Sequence, residues 1–171
     1  MVAGWLALTG TLPASAAVPP ARQSGSVQVA TTASQIVTLP KFQWSFVNPA
    51  QNSSPLTSNV GPTDYSIYVS LSFNNVSPKT ITSIRFRFFF FDASGKVAFS
   101  KTGTVKGTFS PGTTVSPRYT ALNHILTLQS TDPSSPGWHF KNSLGSGLAK
   151  VSVSLDAVHY SDGTSWAPGQ T

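Results

Sequence analysis

The sequence predicts an all-β protein that folds as an antiparallel β-sandwich of about seven or eight strands. Apolar side chains recur at every second residue in several stretches, which is the period of a half-buried strand. Charged residues make up 9% of the 171 residues, with no glutamate, so the composition disfavours exposed helix faces. The 13 glycines and 13 prolines supply the frequent chain reversals that a sandwich needs.

Residues 1–16 have the pattern of a secretory signal peptide. Residues 5–12 form a short apolar stretch, and Ala14-Ser15-Ala16 is the small-x-small pattern at which signal peptidase cleaves. No Lys or Arg precedes this stretch, so we expect the signal to begin upstream of Met1. The alternative is an unstructured apolar N terminus. The stretch is too short to span a bilayer, so we expect a secreted or periplasmic protein without a membrane span.

The next segment, residues 17–40, is rich in Pro, Ser, Thr and Ala and predicts a loose leader with an early strand at residues 36–39. The sandwich domain is expected to occupy residues 41–171. Its first strand alternates apolar and polar residues through Phe42, Trp44 and Phe46. A long polar loop is expected to follow this strand at residues 47–63.

Two strands in the middle of the chain alternate most clearly. Residues 65–74 place one apolar row on a single face, namely Ile67, Val69, Leu71 and Phe73. Residues 80–91 place Ile84, Phe86, Phe88 and Phe90 on one face and Arg85, Arg87, Phe89 and Phe91 on the other. Because the second half of this strand is apolar on both faces, we expect a central strand whose phenylalanines pack in the core, with its far end covered by a loop.

The rest of the chain alternates less regularly. Turn residues 92–95 precede short strands at residues 96–100 and 103–109, and residues 119–128 suit either a strand or a short helical turn. Residues 130–147 predict a second long polar loop, which carries Trp138. The last long strand is expected at residues 150–160, with one face formed by Val151, Val153, Leu155 and Ala157. Asp162-Gly163 then predicts a hairpin turn before Trp166.

A series of short motifs begins at the ends of the two central strands and continues into the turns after them. They are Phe73-Asn74-Asn75, Phe88-Phe89-Phe90-Phe91-Asp92, Gly95-Lys96-Val97 and Pro111-Gly112. This series, over residues 65–115, resembles the FxLYD-type family of bacterial extracytoplasmic domains. Phe90 and Phe91 stand at the family's Leu and Tyr positions, which keeps the bulk but loses the tyrosine hydroxyl. The resemblance implies an immunoglobulin-like sandwich and an extracytoplasmic location, and it implies no catalytic residues.

Charge and residue types narrow the classes of function. The 11 basic and 5 acidic residues give a net charge of +6, but the basic residues form no run, so we attribute them to solubility and expect no nucleic acid partner. The chain has no cysteine, which excludes disulfides, thiolate metal sites and a cysteine nucleophile.

The remaining titratable residues do not form an obvious catalytic set. We expect Asp64, Asp92 and Asp162 to cap turns, and Asp156 to pair with Arg85 or Arg87. The three histidines, at positions 124, 139 and 159, show no metal-ligand spacing, and no nucleophile elbow or phosphate-binding loop occurs. We therefore expect no enzyme, no metal and no cofactor. A hydrolase, the least favoured class, would need a cleft with two convergent titratable groups.

The candidate binding residues are the aromatic residues Trp138, Tyr119 and Trp166, at or near predicted loops. Exposed rings of this kind stack on sugars or anchor a protein partner. The alternative is that they close the ends of the sandwich core. The favoured hypothesis is an exported non-enzymatic structural or protein-interaction module. A carbohydrate-binding module that uses these three aromatic residues is the alternative, so the partner is an unknown protein or a cell-surface glycan.

Overall fold

The structure is a computed structural model that describes residues 23–24, 26–27, 31–47, 66–122, 125–128, 132–141, 144 and 147–169. The predicted signal peptide and all but the first residue of the predicted loop at residues 47–63 lie outside these ranges. The described elements, in chain order, are β1 (Gln23–Ser24), β2 (Ser26–Val27), α1 (Thr31–Ser34), β3 (Val37–Val47), β4 (Ser66–Asn75), β5 (Ile81–Asp92), β6 (Val97–Phe109), β7 (Thr114–Val115), β8 (Tyr119–Leu122), β9 (Ile125–Leu128), β10 (Gly137–Lys141), β11 (Leu148–Tyr160) and β12 (Ser165–Trp166).

These strands form two sheets that pack face to face, which confirms the predicted β-sandwich. Sheet A has the strand order β1-β3-β4-β10, and β7 also pairs with β4. Sheet B has the order β12-β11-β5-β6, and β2 also pairs with β11. All of these pairs are antiparallel except β2 with β11. Strands β8 and β9 pair with each other as a separate hairpin.

The predicted leader contributes strands to both sheets. Strand β1 pairs with β3 in sheet A, and β2, two residues later, pairs with β11 in sheet B. Strand β3 begins at Val37, four residues before the expected start of the sandwich. The segment therefore joins the edges of the two sheets, so the sandwich includes part of the predicted leader.

The core is an aromatic layer between the two sheets. Phe86, Phe88 and Phe90 of β5 are fully buried, and they meet rings from sheet A. The ring of Phe88 lies 6.1 Å from that of Phe42, and the ring of Phe86 lies 6.0 Å from that of Phe73, measured between centroids. Complete burial of one such side chain contributes about 2–3 kcal/mol. The row therefore makes β5 the central strand of the domain, as predicted.

The inner face of β11 differs from the prediction at one position. Leu155 pairs with Phe86, and Ala157 pairs with Arg85, so Asp156 is an extra residue in a β-bulge. Residues directly opposite each other on an antiparallel pair point to the same side of the sheet. Ala157 therefore lies on the outer face with Arg85, and Val158, opposite Ile84, takes the core position that we predicted for Ala157.

Three other boundaries differ from the predicted ones. The two short strands predicted at residues 96–100 and 103–109 are one continuous strand, β6, which begins at Val97, because Gly103 pairs within the ladder opposite Phe86. Residues 119–122 and 125–128 pair as strands β8 and β9, so the strand alternative was right. The predicted second loop contains strand β10, because its Trp138 and Phe140 alternate toward the core opposite Val69 and Ile67.

Asn75 holds the end of β4 against the end of β6. Its side chain is fully buried, and Nδ2 donates to the carbonyl oxygens of Lys79 at 2.9 Å and Phe109 at 2.8 Å. Its Oδ1 accepts from the backbone N–H of Ser77 at 3.0 Å and from the Ser77 hydroxyl at 2.7 Å. All of the hydrogen-bonding capacity of this amide is used, so one side chain connects two strand ends and a turn.

We expect Asn75→Ala to lower the free energy of unfolding by about 2–4 kcal/mol, because buried carbonyl and N–H groups lose their partners. Asn75→Asp should cost a similar amount, since a carboxylate cannot donate to the two carbonyl oxygens. Asn74→Ala is the matched control, because the buried Asn74 Oδ1 has no hydrogen-bond partner. Asn74→Ala should lower the free energy of unfolding, measured in urea, by less than about 1 kcal/mol. Equal losses at the two positions would refute this role of Asn75.

Candidate functional site

Trp138 lies in strand β10, not in a loop as predicted, and its partly buried indole packs against the core. Its ring centroid is 5.1 Å from that of Phe88 and 5.9 Å from that of Phe86. Across the sandwich it meets Gly103 so closely that a Cβ built there would lie 2.7 Å from indole Cδ2. The close contact requires glycine at position 103, and it gives Trp138 a structural role.

The structure does not bring the three predicted aromatic residues together. Trp166 lies in β12, opposite Val158, half-buried and packed against the core. Tyr119 lies in β8, opposite Leu128, and its side chain is outside the described part of the chain. The three residues therefore belong to sheet A, sheet B and the separate hairpin.

The described aspartates at turns share one arrangement. In the sequences Asp92-Ala93-Ser94, Asp132-Pro133-Ser134 and Asp162-Gly163-Thr164, the carboxylate accepts hydrogen bonds from both the N–H and the hydroxyl of the third residue, at 2.6–2.9 Å. Asn75-Val76-Ser77 repeats the arrangement with an amide. The predicted turn roles of Asp92 and Asp162 are thereby confirmed, and Asp64 lies outside the described residues.

These contacts keep the turn carboxylates ionised. The Ser94 hydroxyl lowers the pKa of Asp92, and the Ser134 hydroxyl lowers that of Asp132. The Lys79 ammonium, 2.8 Å away, lowers the pKa of Asp162 most strongly, and the Thr164 hydroxyl adds to this. A general acid needs a raised pKa, so these three groups do not have the property that acid catalysis requires.

Asp156 pairs with both of the arginines that we predicted as alternatives. Its Oδ1 accepts from Arg87 Nε at 2.8 Å and lies 2.8 Å from Arg87 Nη2, and its Oδ2 accepts from Arg85 Nε. Partial burial raises the pKa of Asp156, but the hydrogen bonds and charges of Arg87 and Arg85 outweigh burial and lower it. The bulge places this carboxylate between two side chains of β5.

One surface of the molecule is both basic and aromatic. It is the outer face of sheet B, which we define as the outward residues of β5 with their neighbours on β6 and β11. Arg85, Arg87, Phe89 and Phe91 point outward, as predicted. Phe89 and Phe91 are half-buried, so the expected packing in the core holds for Phe88 and Phe90 but not for these two. The Lys150 ammonium lies 5.2 Å from the Phe91 ring centroid.

The same face gathers basic residues that are scattered in the sequence. Lys106 lies opposite Ser83, and Lys150 lies opposite Phe91, so both share the face with Arg85 and Arg87. Sequence reasoning missed this surface because its members come from three strands. The alternation of Arg85 and Arg87 with buried phenylalanines was the available signal, but the pairing register that adds the lysines was not.

The histidines do not form a metal site in the part of the chain that the structure describes, where no group of three or more His, Asp or Glu side chains could hold a metal ion. His139 is on the outer face of sheet A, stacked on Tyr68 with 4.6 Å between ring centroids. Partial burial lowers the pKa of His139. None of the described helices is long and apolar enough to cross a membrane.

Comparison with known proteins gave no match, either to a protein-family model or to a curated protein sequence. Functional inference therefore rests on the geometry of the two sheets.

We expect Gly103→Ala to lower the free energy of unfolding by about 1–3 kcal/mol, because the new methyl group overlaps the Trp138 indole. Gly147→Ala is the control, since nothing lies within 4 Å of a Cβ at that position. In a Trp138→Leu background, Gly103→Ala should no longer lower the free energy of unfolding. Thermal or urea unfolding of the wild type, the two single variants and the double variant will measure this. A cost that persists without the indole would contradict the packing role of Trp138.

Because the pKa of Asp156 is lower in the folded protein than its ordinary value of 3.8, the folded state binds protons less readily than the unfolded chain. The resulting stability is present above about pH 4 and is lost as the pH falls through the folded pKa. We expect the urea midpoint to fall slightly from pH 7 to 5, because the lowered pKa of His139 lets the unfolded chain take up that proton first, and to drop further below about pH 4. Asp156→Asn should be less stable at pH 7 and should show a shallower drop; an unchanged drop would mean that other carboxylates account for it.

Proposed function

We propose that this chain is an exported, non-enzymatic interaction module that binds its partner through the outer face of sheet B. The observation that carries the proposal is the position of Phe89 and Phe91. The inner face of β5 already closes the core with Phe86, Phe88 and Phe90. Two further phenylalanines on the outer face of the same strand add nothing to that core, and aromatic and arginine side chains are enriched in binding surfaces.

The state of the carboxylates supports a non-enzymatic role over a hydrolase. All four described aspartates are engaged, three in turns and one with two arginines. Each has a lowered pKa, whereas the general acid in the carboxylate pair of a hydrolase needs a raised one. Their interactions stabilise turns and orient arginines, which suits a rigid binding scaffold.

Strand order supports an immunoglobulin-like topology, which we propose together with membership of the FxLYD-type modules. The order β3-β4-β10 faces β12-β11-β5-β6, and an N-terminal segment pairs with both sheets through β1 and β2. Along the chain the sheets alternate by groups of strands, with β3 and β4 in sheet A, β5 and β6 in sheet B, β10 in sheet A, and β11 and β12 in sheet B, as strand pairs do in sandwiches of the immunoglobulin type. Export and an extracytoplasmic location belong to the same proposal, and they rest on the pattern of residues 1–16.

The glycan alternative based on Trp138, Tyr119 and Trp166 has less support from the geometry. Trp138 contacts Phe86 and Phe88 in the core, and Trp166 packs against the same core. Rings held in this way cannot present a shared flat surface to a sugar chain. We therefore place the binding surface on β5 and its neighbours.

A sedimentation assay with isolated cell envelopes of the producing organism tests the proposal. We expect the purified chain to co-sediment and the Phe89→Ser/Phe91→Ser variant to bind about tenfold more weakly, because it loses two aromatic anchors. Tyr68→Ser is the matched control, since Tyr68 is a half-buried outward aromatic residue on sheet A.

Unfolding midpoints of both variants show whether each remains folded under the assay conditions. Equal loss of binding in folded Tyr68→Ser and Phe89→Ser/Phe91→Ser variants would contradict the assignment to sheet B. Full binding by the folded double variant would contradict it as well.

A further inference from the structure

Building on the proposed function, we infer that the outer face of sheet B binds an acidic polysaccharide, a polymer in which carboxylate or sulfate groups are spaced among many hydroxyl groups. The inference rests on Arg85 and Arg87, which Asp156 orients side by side between hydroxyl-bearing strands and next to two phenylalanines. Each of these features matches one part of such a polymer.

The basic residues on this face follow a diagonal across three neighbouring strands, from β6 through β5 to β11. Lys106 lies opposite Ser83 near one end of β5, Lys150 lies opposite Phe91 near the other, and Arg85 and Arg87 lie between them. Strand residues advance about 3.3 Å each, so the four cations span about 26 Å. Four basic side chains and the single acid Asp156 leave the face at +3, which is half of the net charge of +6. An extended polyanion is complementary to this diagonal of charge.

Asp156 fixes the two guanidinium groups rather than neutralising them. The carboxylate is 12% exposed, whereas the Arg85 and Arg87 side chains are 50% and 43% exposed. A guanidinium carries more N–H groups than the contacts to Asp156 use, so both arginines keep donors directed at solvent. Because their orientation is already set, the two arginines can bind a carboxylate or sulfate with little loss of side-chain freedom.

Hydroxyl groups flank the arginines on the same face. Thr102 lies opposite Arg87 and Thr104 lies opposite Arg85 on β6, and both threonines are exposed. Ser154 of β11 lies opposite Arg87 on the other side. Hydroxyl groups both donate and accept hydrogen bonds, as sugar hydroxyls do. The hydroxyl groups of Thr102, Thr104 and Ser154 provide contacts for the uncharged part of a polysaccharide.

The aromatic and acidic residues favour a polysaccharide over a nucleic acid. Phe89 and Phe91 continue the line of the arginines, and their rings can bury the apolar C–H face of a sugar ring. A nucleic acid has at most one free hydroxyl group per nucleotide, so it would place mainly phosphate charge near Asp156, at the centre of the face. A polysaccharide can place neutral hydroxyl groups there and its charged groups on the arginines.

Binding of the full chain to immobilised polygalacturonate tests the inference, with its methyl ester as an uncharged polymer of the same backbone. We expect binding to polygalacturonate that weakens with salt and at least tenfold weaker binding to the ester. Arg85→Gln/Arg87→Gln should weaken binding about tenfold or more. Lys41→Gln/Lys141→Gln, which removes the same charge from sheet A, should change it less than about threefold.

Two single substitutions keep the test valid if the double arginine variant does not fold. Thr102→Glu adds a negative charge to an exposed position on the face and should weaken binding severalfold. Asp156→Asn keeps both arginines but removes the carboxylate that orients them, so binding should weaken, though less than in the double arginine variant. Dextran sulfate and polygalacturonate together show whether sulfate or carboxylate is preferred.

Three outcomes would overturn the inference. They are equal binding to the methyl ester, tighter binding to single-stranded DNA at matched charge, and equal loss in the Lys41→Gln/Lys141→Gln control. If no polyanion binds while envelope binding still depends on Phe89 and Phe91, the ligand class is wrong and the proposed binding surface stands. If envelope binding is also independent of Phe89 and Phe91, the proposed function fails too.

Discussion

The whole structure depends on the burial of one aromatic row, Phe86, Phe88 and Phe90, on the inner face of β5. These side chains are fully buried between the sheets, and rings from β3, β4 and β10 pack on them. Because side chains alternate along a strand, burying this row also determines which residues of β5 face outward. The position of Arg85, Arg87, Phe89 and Phe91 is therefore a geometric consequence of how the core forms.

The ladders on either side of β5 carry this consequence to other strands. Register with β6 adds Thr102, Thr104 and Lys106 to the outer face, and register with β11 adds Ser154 and Lys150. The bulge at Asp156 shifts β11 by one residue, so that Val158 is buried and a carboxylate reaches both arginines. A single irregularity thus serves the core on one side of the sheet and the proposed binding surface on the other.

Three of the four aspartates that the structure describes are used for local structure. Three described aspartates and Asn75 make the same pair of hydrogen bonds to a Ser or Thr two residues later. Such contacts shape turns because the side chain satisfies backbone N–H groups that no strand can reach. Lys79 and Arg118 pair with two of these turn aspartates, whereas the basic residues on the outer face of sheet B form the proposed binding surface.

The sequence alone determined the fold class, the central position of β5, the inward rows of β4 and β5 and the turns at Asp92 and Asp162, because these follow from local alternation and from side chains that bind their own backbone. It also limited the partner of Asp156 to two arginines. Only the tertiary structure decided that Trp138 lies in a strand over Gly103, that Val158 replaces Ala157 in the core and that four scattered cations share one face. Those features depend on pairing register and on contacts between sheets, which join residues far apart in the chain and leave no periodic signal in either segment.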